Sequence, residues 1–287
     1  MLVGFAITSS AVVADETQSN IALEEGVSIT AAIPMPLDGT WITIDEYMNE
    51  GDYFTGSWEW DSDFTVKFTI TDIWVVTDWF EVYDKGSSVI VTPNMDDWDD
   101  LGLPGPKVAP PYTGDPDTAL ADGRFSCAVI YFDPGSHEIT IRDIHIPPMT
   151  AGGDPFPDGT VAFKAELYSL EVDIDIKPGS DPNSINRKSK GVIPVAILGS
   201  DTFDVTDVDV TTLEFGPDGA EPAHHLTDPD VYADHLQDVN GDGFMDLVCH
   251  FKTQEVGLVA GSTDAELVGM NYDGVIIYGT DSVNIVK

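Results

Sequence analysis

Short segments that alternate apolar and polar residues with period two constrain this chain more than any other feature. DFTVKFTITDIWVV (63–76) alternates along its length. WFEVYDKG (79–86) and SSVIVT (87–92) do so on either side of Asp84-Lys85-Gly86, a hairpin signal. FSCAVIYFDPGSHEITIRDI (125–144) reads as a second hairpin turned at Asp133-Pro134-Gly135, and GTVAFKAELYSL (159–170) closes the series. Successive side chains of a strand point to opposite faces, so such segments bury one face and solvate the other. No stretch carries good helical periodicity. Many short strands with regular turns predict an all-β fold of the sandwich or jelly-roll type.

The second half repeats the pattern with its own punctuation. VDIDIKPGS (172–180) alternates and then turns at Pro178-Gly179. GVIPVAILGS (191–200) is nearly continuous apolar sequence, with Pro194 predicting an edge strand or a bulge. DTFDVTDVDVTTLEFG (201–216), VGLVAG, DAELVGM and GVIIYGTDSVNIV supply further strands. The chain therefore divides into two tandem β-sandwich domains of jelly-roll or immunoglobulin-like type, 37–170 and 171–287. Ahead of them, residues 16–36 form an arm in which Val27, Ile29, Ala31 and Ile33 share a face. That arm is a strand that joins the first domain or adds to a neighbour's sheet. The opening MLVGFAITSSAVVADE is a short apolar run ending in small residues, read over 1–15 as the remnant of a signal peptide. It is too short to span a membrane. Export without an anchor is the expectation.

Charge narrows the partners. The chain holds 51 acidic residues against 12 Lys and Arg, a formal net charge of -39. Such a surface repels nucleic acid and anionic lipid. The excess of Asp over Glu fits many acidic turns, and an acidic surface of this kind also keeps a protein soluble in a salt-rich habitat. Only two cysteines occur, Cys127 and Cys249, in different halves and in strand-like runs, and two buried free thiols are expected.

One segment has a specific chemical reading. DVNGDGFMDLVCHF (238–251) places Asp238, Asn240, Asp242 and Asp246 at positions 1, 3, 5 and 9 of a loop, with Gly243 at position 6. Alternating oxygen side chains in a tight turn converge on a hard cation, and an all-oxygen set suits Ca²⁺ over Zn²⁺ or copper. An EF-hand would carry a bidentate Glu at position 12, where this chain has Cys249. The residues that follow read as a buried strand, so the expectation is an EF-hand-like calcium loop in a β setting. The alternative is an Asp/Asn/Gly turn that binds nothing.

IDIKPGSDPNSIN (174–186), GVIPVAILGSDTFDVTDVD (191–209), LEFGP (213–217), DVNGDGFMDLVCHFKTQEVGL (238–258) and DSVNIV (281–286) together resemble a domain of secreted bacterial and archaeal surface proteins. The resemblance implies an extracellular β-sandwich module carried beside varied partners. The calcium segment is also similar to the FG-GAP type of β-loop, which implies Asp238, Asn240, Asp242 and Asp246 as ligands. Cys249 departs from the aliphatic residue that the resemblance leads one to expect. TDWFEVYDKG (77–86), DPDTALAD (115–122) and DPGSHEITI (133–141) more weakly resemble the β-rich ectodomains of exported bacterial proteins that carry a C-terminal sorting signal. Neither likeness implies an enzymatic activity.

Other candidates are weaker. Trp58 and Trp60 share a face if their segment is extended, either as an aromatic platform for sugar rings or as core packing, the plainer alternative. Asp201, Asp204, Asp207 and Asp209 are considered as a second ion site, though their alternation does not converge. MDDWDDLG (95–102) reads as a solvated acidic loop. His224, His225 and His235, with Asp228 or Asp234, are considered as transition-metal ligands against a plain polar loop, and His250 as a residue on a sheet face. No nucleophile–base motif, zincin helix or phosphate loop occurs. The chain is therefore not expected to be an enzyme. It reads as a secreted calcium-binding structural or adhesive protein of the cell surface or matrix, self-assembling through its arm or meeting surface polysaccharide. A carbohydrate-binding module is the alternative, and a glycoside hydrolase with two unnamed carboxylates the remote one.

Overall fold

Strands form where β-branched and aromatic residues alternate with polar ones. The computed structural model describes residues 32–47, 49–75, 78–93, 112–145 and 159–286. The expected signal-peptide remnant, most of the expected arm and the MDDWDDLG loop lie outside them. In the first half the order is β1 (Ile33–Pro34), β2 (Ile42–Glu46), β3 (Trp58–Ser62), β4 (Val66–Asp72), β5 (Trp74–Val75), β6 (Trp79–Asp84), β7 (Ser87–Val91), β8 (Tyr112–Thr113), α1 (Pro116–Ala121), β9 (Cys127–Phe132), β10 (Gly135–His145) and β11 (Gly159–Leu167). One sheet runs β1-β3-β10-β6-β7 and the other β2-β11-β4-β9. Trp58, Trp60, Phe80, Val82, Ile139 and Ile141 from the first meet Val66, Phe68, Ile70, Phe132, Val161 and Phe163 from the second in one core. Ile73, Ala119, Phe125 and Ala162 make a smaller cluster, joined by Trp41, that brings α1 against the outer face of the second sheet.

The second half runs β12 (Ser169–Glu171), β13 (Ile174–Ile176), β14 (Ser184–Asn186), β15 (Val192–Ile197), the 3-10 turn 205–207, β16 (Val208–Phe215), α2 (Pro229–Asp234), β17 (Leu236–Gln237), β18 (Asp246–Lys252), β19 (Asp264–Asn271), β20 (Ile276–Ser282) and β21 (Asn284–Val286). Its sheets run β12-β20-β19-β16 and β13-β15-β18-β17. Between them Ile176, Val195, Ile197, Phe215, Leu247, Phe251 and Leu267 fill a second core. The chain is thus an all-β protein of two sandwiches, as its patterning predicts. Both lie within one compact unit, Ala31–Lys287.

Four local expectations change. The segment 125–144 is not a hairpin: β9 pairs with β4 in one sheet, whereas β10 pairs with β3 and β6 in the other. Asp133-Pro134 is a corner between sheets, because turn residues fix a change of direction and not a pairing partner. Pro194 lies in an inner strand, between β13 and β18. Its carbonyl accepts from Lys177 N at 2.8 Å, just past the end of β13, and the Lys177 carbonyl that an N–H at 194 would have met accepts from Ser180 N at 3.0 Å instead. The alternating run 63–76 breaks between β4 and β5, where Trp74 takes a φ of 73°. Two short helices occur where no helical period was visible. Each opens on an Asp-Pro pair whose Asp accepts a first-turn N–H, Asp115 from Thr118 and Asp228 from Asp230. Six residues are too few to show a period.

Candidate functional site

β17 and β18 are antiparallel, with Leu236 opposite Leu247 and Gln237 opposite Asp246, so the loop between them closes a hairpin. Its polar side chains turn inward on the loop itself. Asp238 Oδ1 accepts from Gly241 N at 2.7 Å and Oδ2 from Gly243 N at 3.1 Å. Asn240 Oδ1 accepts from Asp242 N at 3.0 Å, and its amide nitrogen donates to Asp242 Oδ2 at 2.9 Å. Asp242 Oδ1 accepts from Phe244 N at 2.9 Å. Gly243 has a φ of 94°, a conformation that a side chain would strain.

Asp246 behaves differently from the other three. Asp238, Asn240 and Asp242 are exposed, whereas Asp246 is wholly buried. Its Oδ2 accepts from Val239 N at 2.8 Å, inside the loop. Its Oδ1 accepts from Gly199 N at 2.9 Å, beyond the end of β15. One carboxylate therefore ties the loop, β18 and the β15 exit together. Gly199 is needed for that approach, since a Cβ there would stand 2.3 Å from the Met245 carbonyl oxygen. Asp246 also acts at a distance. The Asp175 carboxyl on β13 is pushed above the usual carboxylate range by its burial, then by Asp281, with a smaller push from Asp246.

The donor set of this loop suits a hard cation. Every side-chain donor that would face the ion is oxygen, and each oxygen already holding an N–H keeps a second lone pair. Asp238, Asn240, Asp242 and Asp246 would hold Ca²⁺, which would supply charge neutralisation and a fixed turn. The carboxylates do not stand as a ready-made cluster. Among the described residues, the only group of three His, Cys, Asp or Glu ligand atoms lying within 4.8 Å of one another is elsewhere.

That group is His224, His235 and His250. The sequence places His224 and His235 in one polar loop and His250 on a strand, and only the fold joins them. Leu247, Cys249 and Phe251 of β18 face the core, so His250 points to the other face. The segment ahead of β17 runs along β18 and is held to it. Ala223 N donates to the His250 carbonyl at 2.7 Å, and Val248 N to the His235 carbonyl at 2.9 Å. His235 Nδ1 donates to the Val248 carbonyl at 2.5 Å, leaving Nε2 with its lone pair. That Nε2 lies 2.9 Å from His224 Nδ1. The His250 ring centroid is 5.0 Å from that of His224 and 5.2 Å from that of His235. His250 Nδ1 is buried without a hydrogen-bond partner among the described residues. Burial first, and then the neighbouring His224 and His235, hold the His250 pKa below the ordinary histidine value. His225 and Asp228 do not belong to the cluster. Asp228 caps α2 by accepting from Asp230 N at 3.0 Å.

The remaining candidates resolve into structure. Trp58 and Trp60 share a face, but it is the core face, at 3% and 6% exposure. Trp58 packs edge-on against Phe163 and Trp60 edge-on against Phe132, so the reading of them as a sugar platform is corrected to core packing. Asp204 caps the 3-10 turn and Asp209 holds Thr211, each serving its own backbone, and neither converges with Asp201 or Asp207. Both cysteines are free, but only Cys249 is buried, which pushes its thiol up to about 12; Cys127, expected to be buried as well, is half-buried.

No protein-family model matches the chain, and no curated protein does. Solved structures are only distantly similar. The pre-peptidase C-terminal domain of a collagenase from Bacillus anthracis aligns over 49% of this chain and 100% of its own, at 10% identity and a TM-score of 0.26. A GH2 β-galacturonidase from Eisenbergiella tayi aligns over 79% of this chain and 34% of its own, at 12% identity and a TM-score of 0.22. A β-glucuronidase from Ruminococcus gnavus aligns over 85% and 36%, at 8% identity and a TM-score of 0.18. The chain thus spans about a third of either glycosidase. Likenesses this low carry no argument about activity.

Proposed function

We propose that this chain is an extracellular calcium-binding protein with a structural or adhesive role, in which Ca²⁺ stiffens the 238–246 loop. The observation that carries the reading is Asp246. It is buried, it holds Val239 inside the loop and Gly199 outside it, and it opens a core strand. A cation drawing on this carboxylate together with Asp238, Asn240 and Asp242 would act on the second sandwich and not on a loose turn. Without a cation, three carboxylates in one hairpin repel each other. At millimolar Ca²⁺ and the affinities of extracellular modules, about 10⁻⁴–10⁻³ M, mass action adds about 0.4–1.4 kcal/mol. The apolar N-terminal run and the acidic surface fit a chain that works outside the cell. Assembly with further copies, or contact with surface polysaccharide, belongs to the same proposal.

The test is calcium titration by calorimetry, paired with light scattering, on wild type and Asp242→Ala in moderate salt. One saturable site present in wild type and lost in the variant is expected. Scattering that rises with calcium would favour assembly. Equal weak binding by both proteins would reduce the loop to an ordinary turn.

A further inference from the structure

We propose that His224, His235 and His250 form a binding site for a borderline divalent transition cation of the Zn²⁺ type, separate from the calcium loop. Three imidazoles from three places in the chain meet with one ring nitrogen of each within 4.8 Å of the other two. Tetrahedral Zn²⁺ with Zn–N bonds of 2.0–2.1 Å sets its ligand nitrogens about 3.3 Å apart. His224 Nδ1 and His235 Nε2 already stand 2.9 Å apart, so the ion needs them to part by a few tenths of an ångström. The third ring has only to close in.

The surroundings orient the rings as metal ligands are oriented. His235 gives its Nδ1 proton to the Val248 carbonyl, which fixes the tautomer that presents Nε2. Donation of the second ring N–H to a backbone carbonyl is the usual outer-shell support of a metal-bound imidazole. His224 and His250 are tied through the Ala223 N–H to the His250 carbonyl, so β18 positions all three. His250 Nδ1 is buried and has no hydrogen-bond partner among the described residues, a cost that a metal bond or its proton shift would remove. Proton balance is simple. In the free cluster His224 Nδ1–H donates to His235 Nε2. On metal binding that proton leaves Nδ1 and one returns to Nε2 of the same ring from solvent, so His224 stays neutral. His224 is exposed, so the fourth position faces solvent and is open to water. The nitrogen set excludes Ca²⁺ as the preferred occupant.

The experiment uses the full chain, stripped with chelator and then held in excess Ca²⁺, which occupies the acidic loop and screens surface carboxylates. Zn²⁺ affinity is read by competition with a chromophoric chelator, and the site geometry by the visible absorption of Co²⁺ in its place. Wild type and Asp242→Ala are expected to bind one equivalent with the same affinity and the Co²⁺ band of a four-coordinate site. His224→Ala, a change at an exposed side chain, is expected to lose at least tenfold in affinity, and His250→Gln to lose the band, with circular dichroism unchanged. Equal Zn²⁺ binding by wild type and His224→Ala would overturn the proposal. So would loss of binding in Asp242→Ala, which would place the ion in the acidic loop, and so would no saturable binding at all.

Discussion

At the scale of single residues, Asp246 and Asp242 separate two roles that the proposed calcium loop would combine. Asp246 is buried and answers two backbone N–H groups, those of Gly199 and Val239. Removing it leaves both donors without an acceptor in the interior, at about 1–3 kcal/mol each. Asp246→Ala is therefore expected to lose about 2–6 kcal/mol in urea denaturation, in chelator as much as in calcium. Asp242 is exposed and holds Phe244 N and the Asn240 amide, both within its own turn. Asp242→Ala is expected to stay within about 0.5–1 kcal/mol of wild type in chelator and to fall behind only when calcium is added. Equal losses for the two variants under both conditions would end the distinction. Gly199 belongs with Asp246, for a Cβ at 2.3 Å from the Met245 carbonyl must push β15 and the loop apart. Gly199→Ala is expected to lower the melting temperature of metal-free protein, which thermal unfolding checks.

At the scale of elements, acidic residues gather around β13. Asp281 on β20 accepts from Ile176 N at 2.9 Å and from the Asn183 amide at 2.9 Å. Asp175 accepts a backbone hydrogen bond from Gly179, which works the other way, but burial first, then Asp281 and, less, Asp246 raise its pKa in the folded chain. The folded state then binds the proton more readily than the unfolded one, so Asp175 stabilises the fold least when ionised. Its penalty is full above the folded pKa and vanishes below the ordinary value of 3.8, where both states are protonated. Asp175→Asn is expected to raise the melting temperature at neutral pH and to give no gain at a pH well below 3.8; a gain of equal size at both would count against the electrostatic origin. Elements of this kind were legible where their signal is local. The strand alternation of β4, β6 and β11, the Lys85-Gly86 hairpin and the Asp/Asn/Gly spacing of the 238–246 loop all lie within a few residues. Pairing between distant strands was not legible. Asp133-Pro134-Gly135 marks a turn equally well in a hairpin or at a corner between sheets. Trp58 and Trp60 share a face by alternation alone, but which face is inside depends on β10 and β11. The histidine cluster is the extreme case, because His250 meets His224 and His235 only after the segment ahead of β17 docks along β18.

At the scale of the whole molecule, the two sandwiches share backbone and not merely a linker. Tyr168 N donates to the Thr65 carbonyl at 2.9 Å, and the next residues enter β12, which pairs in parallel with β20 of the second sandwich. From the other side, Thr65 N donates to the Gly274 carbonyl at 3.0 Å and Thr65 Oγ1 to the Asp273 carbonyl at 2.9 Å. The rings of Tyr131 and Tyr168 meet at 4.7 Å beside this joint. Charge works against it. A formal net charge of -39 makes the compact state repel itself, so added salt is expected to raise the melting temperature before any specific ion is considered. The joint depends on Gly274, whose φ is 77° and where a Cβ would stand 2.4 Å from Pro134 Cγ. An alanine there strains the turn and drives the β19–β20 hairpin off the Asp133-Pro134 corner, while both cores stay intact. Scanning calorimetry in chelator is expected to show one unfolding transition for wild type, because hydrogen bonds from Thr65 to the 273–274 turn cross the boundary. Gly274→Ala is expected to split it into two, with the total enthalpy little changed. A single transition merely shifted down in the variant would mean that the turn matters to its own sandwich alone, and two transitions already present in wild type would mean that the joint carries no cooperativity.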